Sequence, residues 1–353
     1  MTEISAVQPT IVPPRIHPYQ PSGLDRYTDW VDKLPMSAEL FYVAFAAILI
    51  GLQLVIQWNG SLDSIHAFPL AYILTIPYAL ALMHYLDKVA AQTLARFRPL
   101  MSISDAEYDL MRYRLTTLPA RPVVLAALIG VLNAISVLIW IPYPLKVSSL
   151  HFTDTPLSLH FNQGLSLFIW AVVGILVYHT LHQLRVVWEI YASCSGIDLY
   201  KLRPLYAFST LSAWTAIGIA LMVYVWYISA PLLFNIGIAG LVFFTALSLL
   251  TFVLPLSGAR HLLVDEKERQ LSENRERQRL IRAEMHRRID AFDITDMEHL
   301  SKTIAALELE HAAIDRISTW PWKPETARTV TVTLFFPMVV WLTQLILRRV
   351  LES

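Results

Sequence analysis

Seven stretches of this 353-residue sequence are long and apolar enough to cross a membrane. A hydrocarbon layer of about 30 Å takes roughly twenty residues at 1.5 Å of helical rise each. The stretches fall near 39–57, 68–87, 122–142, 165–184, 207–229, 234–256 and 329–348. Backbone N–H and C=O groups in hydrocarbon must be satisfied within the chain, so runs of this length are read as helices. The predicted fold class is all-α, a polytopic membrane protein with seven transmembrane helices. Charge supports this: only 16% of residues are charged, against about 25% in soluble domains, and they cluster between the apolar runs. Pro122 opens the third stretch, Pro142 and Pro144 follow it, and Pro231 lies in the turn between the fifth and sixth. Pro77 and Pro337 fall inside stretches and are expected to kink them.

Orientation follows from lysine and arginine, which favour the cytoplasmic side. With the N-terminus inside, the cytoplasmic segments 1–38, 88–121, 185–206 and 258–328 hold 3, 6, 3 and 13 of these residues, 25 of the 28. The other side keeps Lys146, Arg348 and Arg349. An odd number of spans then leaves the C-terminus outside. The expected localisation is an integral, multi-pass plasma or inner membrane protein, N-in and C-out. The Pro-rich first thirty-five residues have no apolar core of a signal peptide and read as a soluble segment.

The chain divides into a cytoplasmic N-terminal segment (1–38), a six-helix bundle with helical loops (39–257), a cytoplasmic helical hairpin (258–318), and a linker with the seventh span (319–353). Ser104 and Glu107 form a capping-box pattern that opens a loop helix. The fourth span is predicted to continue past the membrane up to Gly196 at least. After the sixth, residues 259–289 contain no Gly or Pro and are rich in strong helix formers, so one helix runs from the membrane into the arm. Glu273 with Arg277 and Glu284 with Arg288 supply i,i+4 pairs along it. A second capping box at Thr295 and Glu298 is expected to start a return helix with Met297, Leu300, Ile304, Leu307 and Ile314 on one face.

No Asp, Glu, Lys or Arg lies in the middle of a span, which argues against an ion-coupled transporter. The sequence has no Walker loop, HExxH or GxSxG, so no enzymatic activity is predicted. Cys194 is the single cysteine, which excludes an internal disulfide and a cysteine-built metal cage. Zero net charge gives no basic surface for nucleic acid; the expected partners are the lipid bilayer and further copies of the chain. In the last span, Thr329, Thr333, Phe336, Val340 and Gln344 share one face. Hydroxyls and an amide interrupted by bulky apolar residues can line a water-filled path with an apolar constriction, or bond to neighbouring helices. His84, His179 and His182 sit at similar depth and are candidate ligands for a metal or haem. Their other reading is interfacial, with polar tips in the headgroup region, and no cofactor is expected.

The layout resembles the insect odorant and gustatory receptor superfamily of seven-transmembrane ion channels, with its distant prokaryotic relatives. The likeness covers most of the chain: an N-in, C-out set of seven spans, a prolonged fourth span, and a sixth span running on as a long helix. The last element is likewise split into a cytoplasmic half (297–318) and a membrane half (329–348). It is carried by architecture, since Thr333 is followed by Leu334 and Gln344 by Leu345 where insect members often have Thr-Tyr and Gln-Phe. The resemblance implies a homo-oligomer, a tetramer joined through the cytoplasmic extensions. Its last helix would line a central cation pore, with Val340 and Gln344 facing it and a small-molecule ligand as gating partner. Two other functions fit the same pattern. One is a non-conducting membrane sensor or scaffold whose cytoplasmic arm binds a partner; the other is a haem- or metal-binding membrane protein.

Overall fold

The structure, a computed structural model, describes residues 18–58, 60, 65, 67–140, 156–192, 206–229, 234–292, 296–322 and 324–351. Among these the chain is 88% helix with no strand. The described residues form eleven α-helices, in chain order α1 (Gly23–Asp32), α2 (Ala38–Gln57), α3 (Ala67–Ile73), α4 (Thr75–Phe97), α5 (Asp105–Thr116), α6 (Ala120–Trp140), α7 (Pro156–Ala192), α8 (Ala207–Ser229), α9 (Phe234–Asp290), α10 (Met297–Asp315) and α11 (Pro324–Leu351). A 3-10 turn, Arg98–Leu100, follows α4.

By length and composition, five described helical stretches can cross a membrane: Ala38–Gln57, Phe68–Leu100, His160–Ala192, Ala207–Trp226 and Thr245–Asp290. They coincide with the first, second, fourth, fifth and sixth stretches expected from sequence. The third forms α6, with a shorter apolar stretch over Ala120–Ser136, and the seventh forms α11. The second is divided at Leu74 into α3 and α4. Pro77 explains the break, because its ring collides with the carbonyl of the residue four positions back, Ile73.

Local chemistry sets the helix starts. The Ser22 and Ser104 side chains accept the backbone N–H three residues on, and Asp25 and Glu107 return the bond, giving two complete capping boxes. The return helix α10 differs from expectation: Thr295 and the rest of the turn before it lie outside the described residues, and the flanking residue is Asp296. Its φ is 64°, and its side chain makes no cap bond. Aspartate tolerates this left-handed conformation better than most residues.

Helices α4, α7 and α8 form the interior. Phe97, Tyr191 and Phe208, one from each, meet edge to face with centroids 5.1 to 5.5 Å apart and are fully buried. Outside them, α2 exposes Leu40, Val43, Ile48, Leu52 and Val55, and α6 exposes Val124, Leu125, Leu128, Ile129 and Leu132. Apolar surface this continuous is unfavourable in water and matches lipid. The tightest contact joins α6 to α7. A Cβ added to Gly130 would lie 2.0 Å from the Trp170 carbonyl oxygen, and one added to Gly174 2.3 Å from that of Ala126. Small residues here let two backbones touch, the main attraction available to helices in lipid.

Helix α9 runs for 57 residues without interruption, from the bundle into the arm. Helix α10 folds back along it with Ile314 buried and Met297, Leu300, Ile304 and Leu307 half-buried. The apolar seam on α9 is broken by Asn274, which is 2% exposed. Its amide donates to the Leu307 carbonyl at 3.2 Å and to Glu310 at 2.8 Å, and its oxygen accepts from Gln278 at 2.9 Å. A buried amide with these partners fixes the register of the two helices. The Glu273–Arg277 and Glu284–Arg288 pairs both form, at 4.0 and 2.9 Å.

The α6–α7 contact gives a direct test. Gly174→Leu would overpack two touching backbones and should lower unfolding stability in detergent by about 2 kcal/mol or more. Gly164→Ala, on the same helix with nothing within 4 Å, should leave stability unchanged or raise it by up to about 1 kcal/mol.

Candidate functional site

The last helix lies at the edge of the bundle and leans on α8. Val330 and Leu334, four residues apart, are buried against it, and the buried Tyr224 hydroxyl donates to the Leu334 carbonyl. Most of the other described side chains of α11 are uncovered: Val332, Phe335, Phe336, Val339 and Ile346 are exposed, as are Thr329, Thr331 and Thr343. Of the sequence-predicted stripe, Thr329 and Phe336 are thus exposed and Thr333 is half-buried. The Val340 and Gln344 side chains lie outside the described residues. Thr329 and Thr343 donate to the carbonyls of Glu325 and Val339, at 2.9 and 2.8 Å. Each hydroxyl proton is thereby satisfied within the helix while the oxygen can still accept or coordinate, so this face suits water, lipid or another protein surface.

A second polar site occupies the end of the bundle where the N-terminal segment packs. The segment is stitched to the α5–α6 connection. Ser22 N–H donates to the Leu118 carbonyl at 3.0 Å and Ala120 N–H to that of Gln20 at 3.3 Å. The buried Asp25 carboxylate accepts from Ser22 and from Leu118 N–H. Burial pushes the Asp25 carboxyl above its usual range, with these bonds to its charged form opposing the shift. This placement brings Asp32, at the end of α1, to α4.

Each of the three histidines has its own partner there. His84 Nε2 is 3.1 Å from Asp32 and its Nδ1 3.2 Å from the Tyr42 hydroxyl; Lys88 reaches the other Asp32 oxygen at 2.8 Å. His179 Nε2 is 2.9 Å from Asp87, which also accepts from Gln183 at 2.9 Å. His182 Nε2 donates to the Arg114 carbonyl at 2.8 Å. Arg114 in turn pairs with Glu189. The helices carrying the histidines are neighbours, yet their rings are turned to separate acceptors. Among the described residues no group of three His, Cys, Asp or Glu is placed to hold a metal. What this arrangement does is tie α1, α4, α5 and α7 together.

Sequence reasoning singled out the histidines and not their carboxylates. Asp87 lies three residues after His84, so the α4 helical repeat was a signal that both face inward. Asp32 carried no such signal, because its contact spans 52 residues. Comparison of the chain with protein-family models, with curated proteins and with solved structures gives no match.

Removing the Asp87 acceptor strands two buried donors, on His179 and Gln183. Asp87→Leu should therefore lower stability by about 2–3 kcal/mol, and Asp87→Asn, which keeps an acceptor, by less. For Asp32, burial raises the pKa, but the Lys88 and His84 bonds outweigh it and hold the carboxyl below its ordinary value. A lowered carboxyl contributes stability above the unfolded value of 3.8 and loses it as pH falls through the folded one. Asp32→Asn should thus destabilise at neutral pH, and the difference from the parent should close as acid is added through that window.

Proposed function

We propose that the chain is one subunit of a homo-oligomeric membrane ion channel with α11 lining the pore. In this reading seven helices span the membrane, with the N-terminus in the cytoplasm, the C-terminus outside and the α9–α10 arm cytoplasmic. The lysine and arginine distribution supports the orientation, and the architectural likeness to the odorant and gustatory receptor channels supports the assembly.

The observation that carries the proposal is the position of α11. A helix with hydroxyls on a largely uncovered face, anchored mainly through Val330, Leu334 and the Tyr224 bond, cannot enclose a path alone. Several copies around an axis can. Thr329 and Thr333 would replace part of an ion's hydration shell near one mouth, and Gln344 near the other. Phe336 and Val340 between them would form an apolar constriction that closes by excluding water. The arm supports a ring as well. On α10 the side away from α9 presents Ala305, Ala306, Leu309, Ala312 and Ala313 to solvent, an apolar face outside the expected spans and suited to a second copy. Ile304 and Leu307, by contrast, are spent within the hairpin.

In a Cys194→Ser background, cysteine at 333, 336 or 340 should react with a small charged thiol reagent and change conductance in reconstituted membranes. Cysteine at 330 or 334, in the α8 contact, should be protected. Val340→Ser should raise basal current by wetting the constriction. Protection at all five positions, with no current, would overturn the channel. Leu309→Asp with Ala306→Asp should dissociate the oligomer while membrane insertion persists; an unchanged oligomer would favour the alternative, a non-conducting sensor whose arm binds another protein.

A further inference from the structure

Pro255 lies inside α9, just before the last turns that pack on the bundle, where Leu256, Ala259 and Leu263 are fully buried and Gly258 faces Trp188 and Tyr191 of α7. Proline has no N–H, so the carbonyl of Thr251 loses its helical partner at that turn, and the ring crowds the preceding turn. Two hydroxyls beside it bond back into the helix, Thr251 to the Ser248 carbonyl at 2.8 Å and Ser257 to that of Leu254 at 2.7 Å. Back-bonding of this kind favours bending. Left to itself, this turn would be the softest point of a 57-residue helix.

A stack of four flat groups lies beside it. Phe252 stacks on Trp322 with centroids 5.4 Å apart and 20° between planes. Trp322 stacks on Trp320 at 4.4 Å and 18°. The Arg260 guanidinium closes the series 4.2 Å from the Trp320 ring centre. The two ends belong to α9 itself, one on each side of Pro255 and eight residues apart, roughly 12 Å along a helix. The two middle members belong to the segment that joins α10 to α11. Arginine suits the outer end because its planar cation lies flat on an indole. The same segment is held a little farther out: Lys267 Nζ donates to the carbonyls of Asp315 and Ile317, at 2.6 and 3.2 Å.

We infer that Pro255 is a hinge and that the Phe252, Trp322, Trp320 and Arg260 stack is its splint, so that the arm and the start of α11 move as one body. The arm can tilt at Pro255 only by sliding the stack and shifting the next turn of α9 against Trp188 and Tyr191 of α7, and the tryptophans then carry the displacement to the first turn of α11. On the channel reading above, this is the route from the arm to the pore. The hinge itself does not depend on that reading.

The test is a distance distribution from pulsed electron resonance on the full chain in detergent. The protein carries Cys194→Ser and spin labels at Leu280→Cys on the arm and Leu125→Cys on α6. It is diluted with unlabelled protein so that only pairs within one chain are read. The parent should give one narrow distribution. Trp320→Leu should widen it at least two-fold, whereas Trp320→Phe should keep it narrow. Adding Pro255→Ala to Trp320→Leu should restore the narrow distribution, because the helix regains its bond and no longer needs a splint. A second pair, Leu221→Cys on α8 and Val332→Cys on α11, should widen and recover in step. An unchanged width in Trp320→Leu, or widening that persists with Pro255→Ala, would overturn the inference. The widening and its recovery without any ionic current would leave the hinge standing and remove only the pore.

Discussion

A backbone in hydrocarbon can bond only to itself, and the rest of this structure depends on that constraint. It makes the long apolar runs helices and leaves close contact as the main force that can hold them together. Helices α6 and α7 meet where Gly130 faces the Trp170 backbone and Gly174 the Ala126 backbone. The Phe97, Tyr191 and Phe208 cluster does the same for α4, α7 and α8 by filling space. Neither contact uses charge.

Charged groups instead gather at one end and in the arm. At the bundle end, Asp32 and Asp87 take imidazoles from α4 and α7, and the carbonyls and N–H groups left by the α5–α6 connection are met by His182 and Asp25. The result is a polar plate that fixes which helices are neighbours. In the arm the surface pairs are individually weak. Asn274 and Lys267 matter more, since each satisfies a backbone carbonyl of the returning helix α10 and so helps set its register.

Much of this was legible in the sequence. The apolar runs, the Ser104 capping box, the uninterrupted α9 and the inward face of α10 follow from period, propensity and proline position. What could not be read were contacts between distant segments: Asp32 with His84, Asn274 with the Leu307 carbonyl, Arg260 on Trp320. These depend on helix neighbours, which hydropathy does not encode. The role of Pro255 was hidden for the same reason, because only the folded chain brings Trp320 and Trp322 alongside it. The face of α11 was visible as a stripe of Thr329, Thr333, Phe336, Val340 and Gln344. Half of its meaning lies in what covers it, and a single chain leaves Thr329 and Phe336 bare.

On the proposed function, other copies of this chain supply that cover by surrounding a common axis with α11 innermost. Particle images of the purified protein in detergent test it most directly. The expected result is a closed ring, four-fold by the architectural likeness, with one helix per subunit next to the axis and the arms in contact on one side of the membrane belt. A monodisperse monomer, or a ring with α11 on its outer rim facing detergent, would contradict it.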